Sequence, residues 1–200
     1  MCLNMCPASE IEERRLYPSR FETPPALRSL LRPRWRIDPA LAVKRFRRAA
    51  AGREIGNEPH LLRPGHVLVN TVAYLADEVF YAELPAALAD AALAIELAHF
   101  IDDRFRAVRQ EMVVQRLVAQ PHGVAAYERM ARWYIVVLYL LGGSPREKCD
   151  LVLLMGQLRG CLSSLLCAYD AARGGGLLRP GDGVLSNEDE YLCYDVLFDL

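Results

Sequence analysis

No apolar run in the 200-residue chain reaches the roughly 20 residues that span a bilayer; the longest, WYIVVLYLL at 133–141, is less than half that. The first residues lack a basic region followed by an apolar stretch, so no signal peptide is read and the expectation is a soluble, intracellular protein. Net charge is nearly absent: 24 Lys+Arg against 25 Asp+Glu leave a formal −1, and a hydrophobic fraction of 52% excludes a disordered chain. Strand signals are missing, and the richness in Ala and Leu over Val, Ile and Thr favours helix, so the expected class is all-α. No repeat of fixed period is found. The glycine-rich RGGGLLRPGDG at 173–183 has no strand before it and no Lys-Ser/Thr, which leaves it a flexible connection rather than a phosphate loop.

What is present is helical patterning. Ser9 and Glu12 make a capping box for a short helix that ends before Pro18. Pro18, Pro24, Pro25 and Pro33 forbid one helix and read as an extended arm. Asp38-Pro39 restarts a helix running to Gly52, and 53–62 is a loop. Leu68, Thr71, Val72, Leu75 and Val79 recur at helical spacing until Pro85. Leu93, Leu97, Ile101, Phe105, Val108 and Met112 form the stripe of a long helix ending near Pro121. The next helix carries Met130, Trp133, Val137 and Leu141 and stops at Gly142-Gly143. A second capping box, Ser144 to Glu147, opens the stripe from Leu151 to Tyr169, which the glycines at 174–176 close. A last helix starts near Ser186-Asn187-Glu188 with nothing to end it, so the chain is expected to stop before its fold is complete. Successive helices on short turns predict stacked antiparallel helices rather than a closed bundle. The expected division is an arm over 1–37, holding a cysteine motif and a short helix, and a helical domain over 38–200.

The opening CLNMCP raises the question of metal or disulfide. Cys2 and Cys6 cannot alone close a four-ligand zinc site, and His60 and His66 follow no zinc spacing. Of the six cysteines, Cys149, Cys161, Cys167 and Cys193 sit in helical apolar patterns, where a free thiol acts as a small hydrophobe. Cys2, Met5 and Cys6 read as an apolar plug pinning the arm to the body, with Pro7 and Ser9 setting the first helix. No metal or cofactor is expected.

Charge is unevenly placed: residues 1–66 carry 13 basic against 7 acidic side chains, and 28–53 hold nine basic residues with only Asp38 opposing them. That segment is either a solvated basic face or a surface for phosphates or an acidic partner. Its candidate nucleic-acid contacts are Lys44, Arg45, Arg47 and Arg48. In HFIDDRFRAVRQEM (99–112), Asp102, Arg106 and Arg109 share one helix face, and Asp103 lies three before Arg106. The face suits a network locking the helix to its neighbours or a partner surface. Arginines would keep the aspartates ionised and no nucleophile stands near, so no catalytic residue is named. His99 reads as a core residue.

Taken together, CLNMCP with Glu10 and Arg14, AVKRFRRAAAG (42–52), LRP (62–64) with Leu68, Thr71, Tyr74 and Leu75, FIDDRFRAVRQ (100–110) with Gln115, and NEDEYLCY (187–194) resemble the SAC/GANP family over nearly the whole chain. The compact start is most similar to the short animal SAC-domain members. The resemblance implies a non-enzymatic α-helical scaffold of the PCI-like type, working in nuclear mRNA export with the transcription-and-export complex at the nuclear pore. Protein subunits would be its partners, RNA a further one through the basic segment, and membranes and small molecules none. The short animal members imply centrosome duplication and spindle progression instead, and hence a centrosomal and spindle location in place of nucleus and cytoplasm. The motif residues, structural or partner-binding, are Cys2, Met5, Cys6, Pro7, Glu10, Arg14, Asp103, Arg104, Arg106, Arg109, Gln110, Asn187, Glu188, Glu190 and Tyr191. Asn4 stands where the family has Asp, Pro18 interrupts a commonly continuous helix, and no counterpart of the family's winged-helix half is read.

Overall fold

The computed structural model describes residues 1–28, 36–48, 58–143, 150–174 and 183–198, and among them every regular element is helical. Helix α1, Ala8–Glu13, has Pro7 as N-cap and no side-chain cap. The expected Ser9–Glu12 box does not form, because the helix already begins at Ala8, and Glu10 turns inward instead. The proline-rich stretch that follows holds a 3-10 turn, Arg20–Glu22, and a single helical turn, α2, Pro25–Arg28.

The helix expected from Asp38 is absent over the described part. Asp38 does accept the Ala40 amide at 2.9 Å, but only a turn at 39–41 follows, and 42–48 form no regular element. Residues 49–57 lie outside the described residues. The amides of this segment find other partners, described below.

Helix α3, Gly65–Ala73, passes through a π turn, Tyr74–Val79, into α4, Phe80–Ala89. The expected stop at Pro85 does not occur: the proline sits inside α4 on its exposed side. The π turn inserts one residue into the helical register, which carries the buried face from Leu75 and Val79 on to Phe80 and Ala87. Asp90 alone separates α4 from α5, Ala91–Val114, and its carboxylate caps the Ala92 and Leu93 amides. Helix α5 ends well before Pro121; Arg116 takes a left-handed turn (φ 56°), and Pro121 opens α6, Pro121–Leu141. The capping box at 144–147 lies outside the described residues; Asp150 accepts the Leu153 amide at 2.9 Å and starts α7, Leu151–Arg173. A 3-10 turn, Val184–Asn187, leads into α8, Glu188–Phe198.

Helices α3 and α4 lie against α5, α3 also against α6, and from α6 onward each helix packs on the one before it. The expected stripe of α5 is buried throughout, and Phe105 meets the Trp133 ring edge-on at 5.1 Å. At about 1.5–3 kcal/mol per buried large apolar side chain, this continuous core holds the stack together. Helix α7 is, among the described residues, the one helix long and apolar enough to cross a membrane. Gln157 and Arg159 interrupt its apolar run, which is why no long stretch shows in the sequence; it packs between α6 and α8. His99, expected in the core, is exposed.

Candidate interaction site

A segment outside regular structure still needs partners for its amides, and among the described residues no strand supplies them. Side chains do. The Val43 amide donates to Glu22 Oε1 (3.0 Å), Lys44 to the Met5 carbonyl (3.0 Å), Arg45 to Glu10 Oε1 (2.8 Å) and Phe46 to Asp103 Oδ2 (3.3 Å). The Arg47 carbonyl accepts from Gln110 (3.1 Å). Four consecutive amides are thus bound by the Arg20–Glu22 turn, the cysteine motif, α1 and α5, so the segment is threaded between arm and body.

Of these carboxylates Glu10 and Glu22 are buried and Asp103 is half-buried, and the buried arginines Arg14 and Arg104 neutralise them. Glu22, fully buried, accepts two bonds from Arg14 (2.7 and 2.9 Å) and one from Arg104 (3.4 Å). Arg14 also donates to Cys6 Sγ (3.2 Å) and the Val43 carbonyl (3.1 Å), and lies 3.3 Å from Glu10. Burial works to lower the Arg14 pKa, but Glu22 more than offsets it and holds the guanidinium charged. Arg104 shifts the other way, down, because its burial outweighs Glu22 and Asp103. Burial also pushes the Cys6 thiol up to about 12, so it packs as a neutral group.

A second hub lies beside the first. Arg63, fully buried, binds Glu111 through its amide (2.7 Å), Nε (3.2 Å) and Nη2 (2.9 Å), and donates to the Met5 carbonyl at 3.1 Å. Gln115 closes on the Arg63 carbonyl at 2.9 Å. The Cys2 amide bonds the Leu62 carbonyl at 2.8 Å, and the Met5 side chain packs on the core. Cysteine motif, LRP segment and α5 therefore meet at one place. All described cysteines are free, and among the described residues no three His, Cys, Asp or Glu side chains form a metal-ligating group. Of the helical cysteines, Cys161 is buried, Cys167 and Cys193 are exposed, and Cys149 lies outside the described residues.

On α5 the polar face divides. Asp103, Gln110 and Glu111 face the arm, whereas Asp102 faces α6, where Tyr134 donates to it at 2.8 Å and Arg106 stands at 4.0 Å. Burial raises the Asp102 pKa, against the pull of Tyr134 and Arg106. Arg106 covers the Phe46 ring at 4.0 Å, and Arg109 reaches Gln157 at 2.8 Å. The basic quartet splits too. Lys44 is spent on Glu111 (3.0 Å) and the Leu61 carbonyl, and Arg47 on Glu13 (2.5 Å). Arg45 and Arg48 are exposed and pair with no described residue. A cleft of about 220 Å³ runs between α1, this segment and α5.

The NEDEY residues form a separate seal. Asn187 donates to Glu128 at 2.8 Å, a buried carboxylate that also accepts from Tyr169 at 2.7 Å. Glu188 pairs with Arg173 (2.5 Å), and Glu190 with Arg132 through two bonds (2.8 and 2.6 Å). Tyr191, fully buried, packs against Tyr169. Glu22, Arg63, Glu111 and Glu128 are members of these networks that the sequence reading does not name as site residues.

The sequence profile of the SAC3/GANP family matches residues 5–200, from the cysteine motif to the end of the chain. The chain belongs to the SAC3/GANP family. It is 32% identical over 205 aligned residues to SAC3 family protein 1 of Schizosaccharomyces pombe, an alignment covering 98% of this chain and 17% of that protein. The chain thus spans about a sixth of the length of this relative. No solved structure gives a significant match. SAC3/GANP is a scaffold-type family whose proteins act in multi-subunit complexes.

Proposed function

We propose that the chain is a non-catalytic helical adaptor of nuclear mRNA-export assemblies, acting with the transcription-and-export complex at the nuclear pore. The observation that supports this most is how the motif residues of this SAC3/GANP chain are used. Glu10, Arg14, Asp103, Arg104 and Gln110 bind each other and the 42–48 segment, and the Cys6 thiol beside Arg14 is buried and held neutral. Such residues build a shape for other subunits to dock on. The test is to follow the tagged protein through the cell cycle and to stain poly(A) RNA after depletion. Nuclear-rim location with nuclear poly(A) accumulation is expected; spindle-pole location with normal poly(A) distribution would replace this reading by the centrosomal one.

A direct RNA contact has specific support in Arg45 and Arg48, which stay exposed beside engaged Lys44 and Arg47. Arg45→Glu/Arg48→Glu should then lower RNA retention without altering melting temperature, and retention should fall steeply with salt. Unchanged retention in that variant would end the RNA reading while leaving the adaptor reading standing.

A further inference from the structure

Helices α4, α5 and α6 line an apolar cleft of about 140 Å³. Phe80, Leu84 and Leu88 line it from α4, Ala94 from α5, Val137 and Leu140 from α6. Leu88 is 67% exposed at its mouth, so the cleft is open rather than a packing void. Along residues 77–96, which supply α4 and the start of α5, the chain has five carboxylates and no Lys or Arg. Arg28 answers Glu83, and Arg129 answers Asp77 at 3.2 Å. Glu78, Asp90 and Glu96 are exposed with no ion-pair partner among the described residues, and Asp90 lies between the cleft residues Leu88 and Ala91. Its Oδ1 caps α5, and its second oxygen meets no donor among the described residues.

We infer that this cleft is a docking site for a basic amphipathic helix of a partner protein. Two or three apolar side chains at i, i+3 and i+4 spacing would fill the α4–α6 cleft, with Lys or Arg set against Asp90 and its acidic surroundings. The apolar walls supply the buried contact. The unpaired acids Glu78, Asp90 and Glu96 select the partner's charge and speed encounter, an effect that low-dielectric walls strengthen. The site does not depend on the export reading, because none of its residues belongs to the arm networks.

The test uses a fluorescent amphipathic peptide of about 18 residues, Leu on one face and Lys on the other, against a counterpart with Glu for every Lys. Anisotropy with the full chain should show saturable binding of the Lys peptide, weakened by salt, and at least about tenfold weaker binding of the Glu peptide. Leu88→Glu, exposed and free to fold, should weaken the Lys peptide about tenfold; Asp90→Asn, which keeps a good cap, should do so by a few fold. Val152→Glu, on the exposed face of α7, should change nothing. Equal binding of both peptides, indifference to Leu88→Glu, or an equal loss in Val152→Glu would overturn the proposal. So would a chain that sediments as a dimer and becomes monomeric in Leu88→Glu, since the occupant would then be a second copy.

Discussion

Removing the Glu22 carboxylate should loosen the arm more than any other single truncation there. Glu22→Ala takes away the acceptor for Arg14, for Arg104 and for the Val43 amide at once. Arg14 retains Glu10 at 3.3 Å, and Arg104 retains Asp103 at 3.0 Å, so neither cation is wholly stranded. Breaking a buried pair by deleting one partner costs about 3–5 kcal/mol, and an orphaned buried amide about 1–3 kcal/mol. The terms overlap, and a loss of about 4 kcal/mol is expected. For a domain of this size each kcal/mol moves the melting temperature by roughly 2–4 °C, so the fall should be about 10 °C. Glu22→Gln, which can still accept from Val43 but carries no charge, should lose about half as much. Arg14→Met/Glu22→Leu, which removes both charges, should recover most of the loss. Thermal unfolding followed by circular dichroism measures all three, with amide exchange at Val43 and Arg45 as the local readout. A shift no larger than that of Arg15→Ala, whose pair with Glu12 is exposed, would refute the claim that this carboxylate organises the arm.

Tyr191→Phe should leave stability unchanged or slightly higher, because the buried hydroxyl has no hydrogen-bond partner, while Tyr191→Ala should cost about 3–5 kcal/mol; urea titration separates the two. Gly123→Ala should destabilise severely, since its Cβ would lie 2.0 Å from the Leu117 carbonyl oxygen, and expression with melting temperature reports it. Among thiols, Cys167 and Cys193 should alkylate in the folded protein, and Cys6 and Cys161 only on unfolding, as mass spectrometry can follow. Burial raises Cys6 to about 12 and Cys161 to about 11, from 9.0. The unfolded chain therefore releases these protons first, and their contribution is full below pH 9 and shrinks as pH climbs toward 11. The urea midpoint should drop between pH 8.5 and 10.5, and less so in Cys6→Ala/Cys161→Ala.

The helical core was legible because its stripes are long and periodic: each apolar position read on α5 is buried, as are Met130, Trp133, Val137 and Leu141 on α6. The 42–48 segment was not. Its local composition favours helix, and distant groups, chiefly the carboxylates Glu22, Glu10 and Asp103, make a non-helical path better. Pro85 marks a local rule overridden by context: it sits on the exposed side of α4, which continues to Ala89. On α5 the ladder from Asp102 to Arg109 drew attention, yet the arm contacts the row Asp103, Ala107, Gln110 and Glu111. That row is visible at i, i+4 and i+8, and a scan for acids on a second face would have found Glu111. Glu22, one acid in a proline-rich stretch, carries no such signal.

The threading of 42–48 has a consequence for the order in which the molecule forms. Glu22 and Arg104 are 82 residues apart, and Arg63 and Glu111 are 48 apart. Contacts so distant in sequence close late, because the loop entropy must be met before they form. On a ribosome the arm emerges first, and its arginines and glutamates stay in water until α5 has been made. The Lys44 side chain and the backbone of 43–46 are therefore open to other partners in the nascent chain and engaged in the finished one, where Arg45 and Arg48 alone of the quartet remain exposed and unpaired among the described residues.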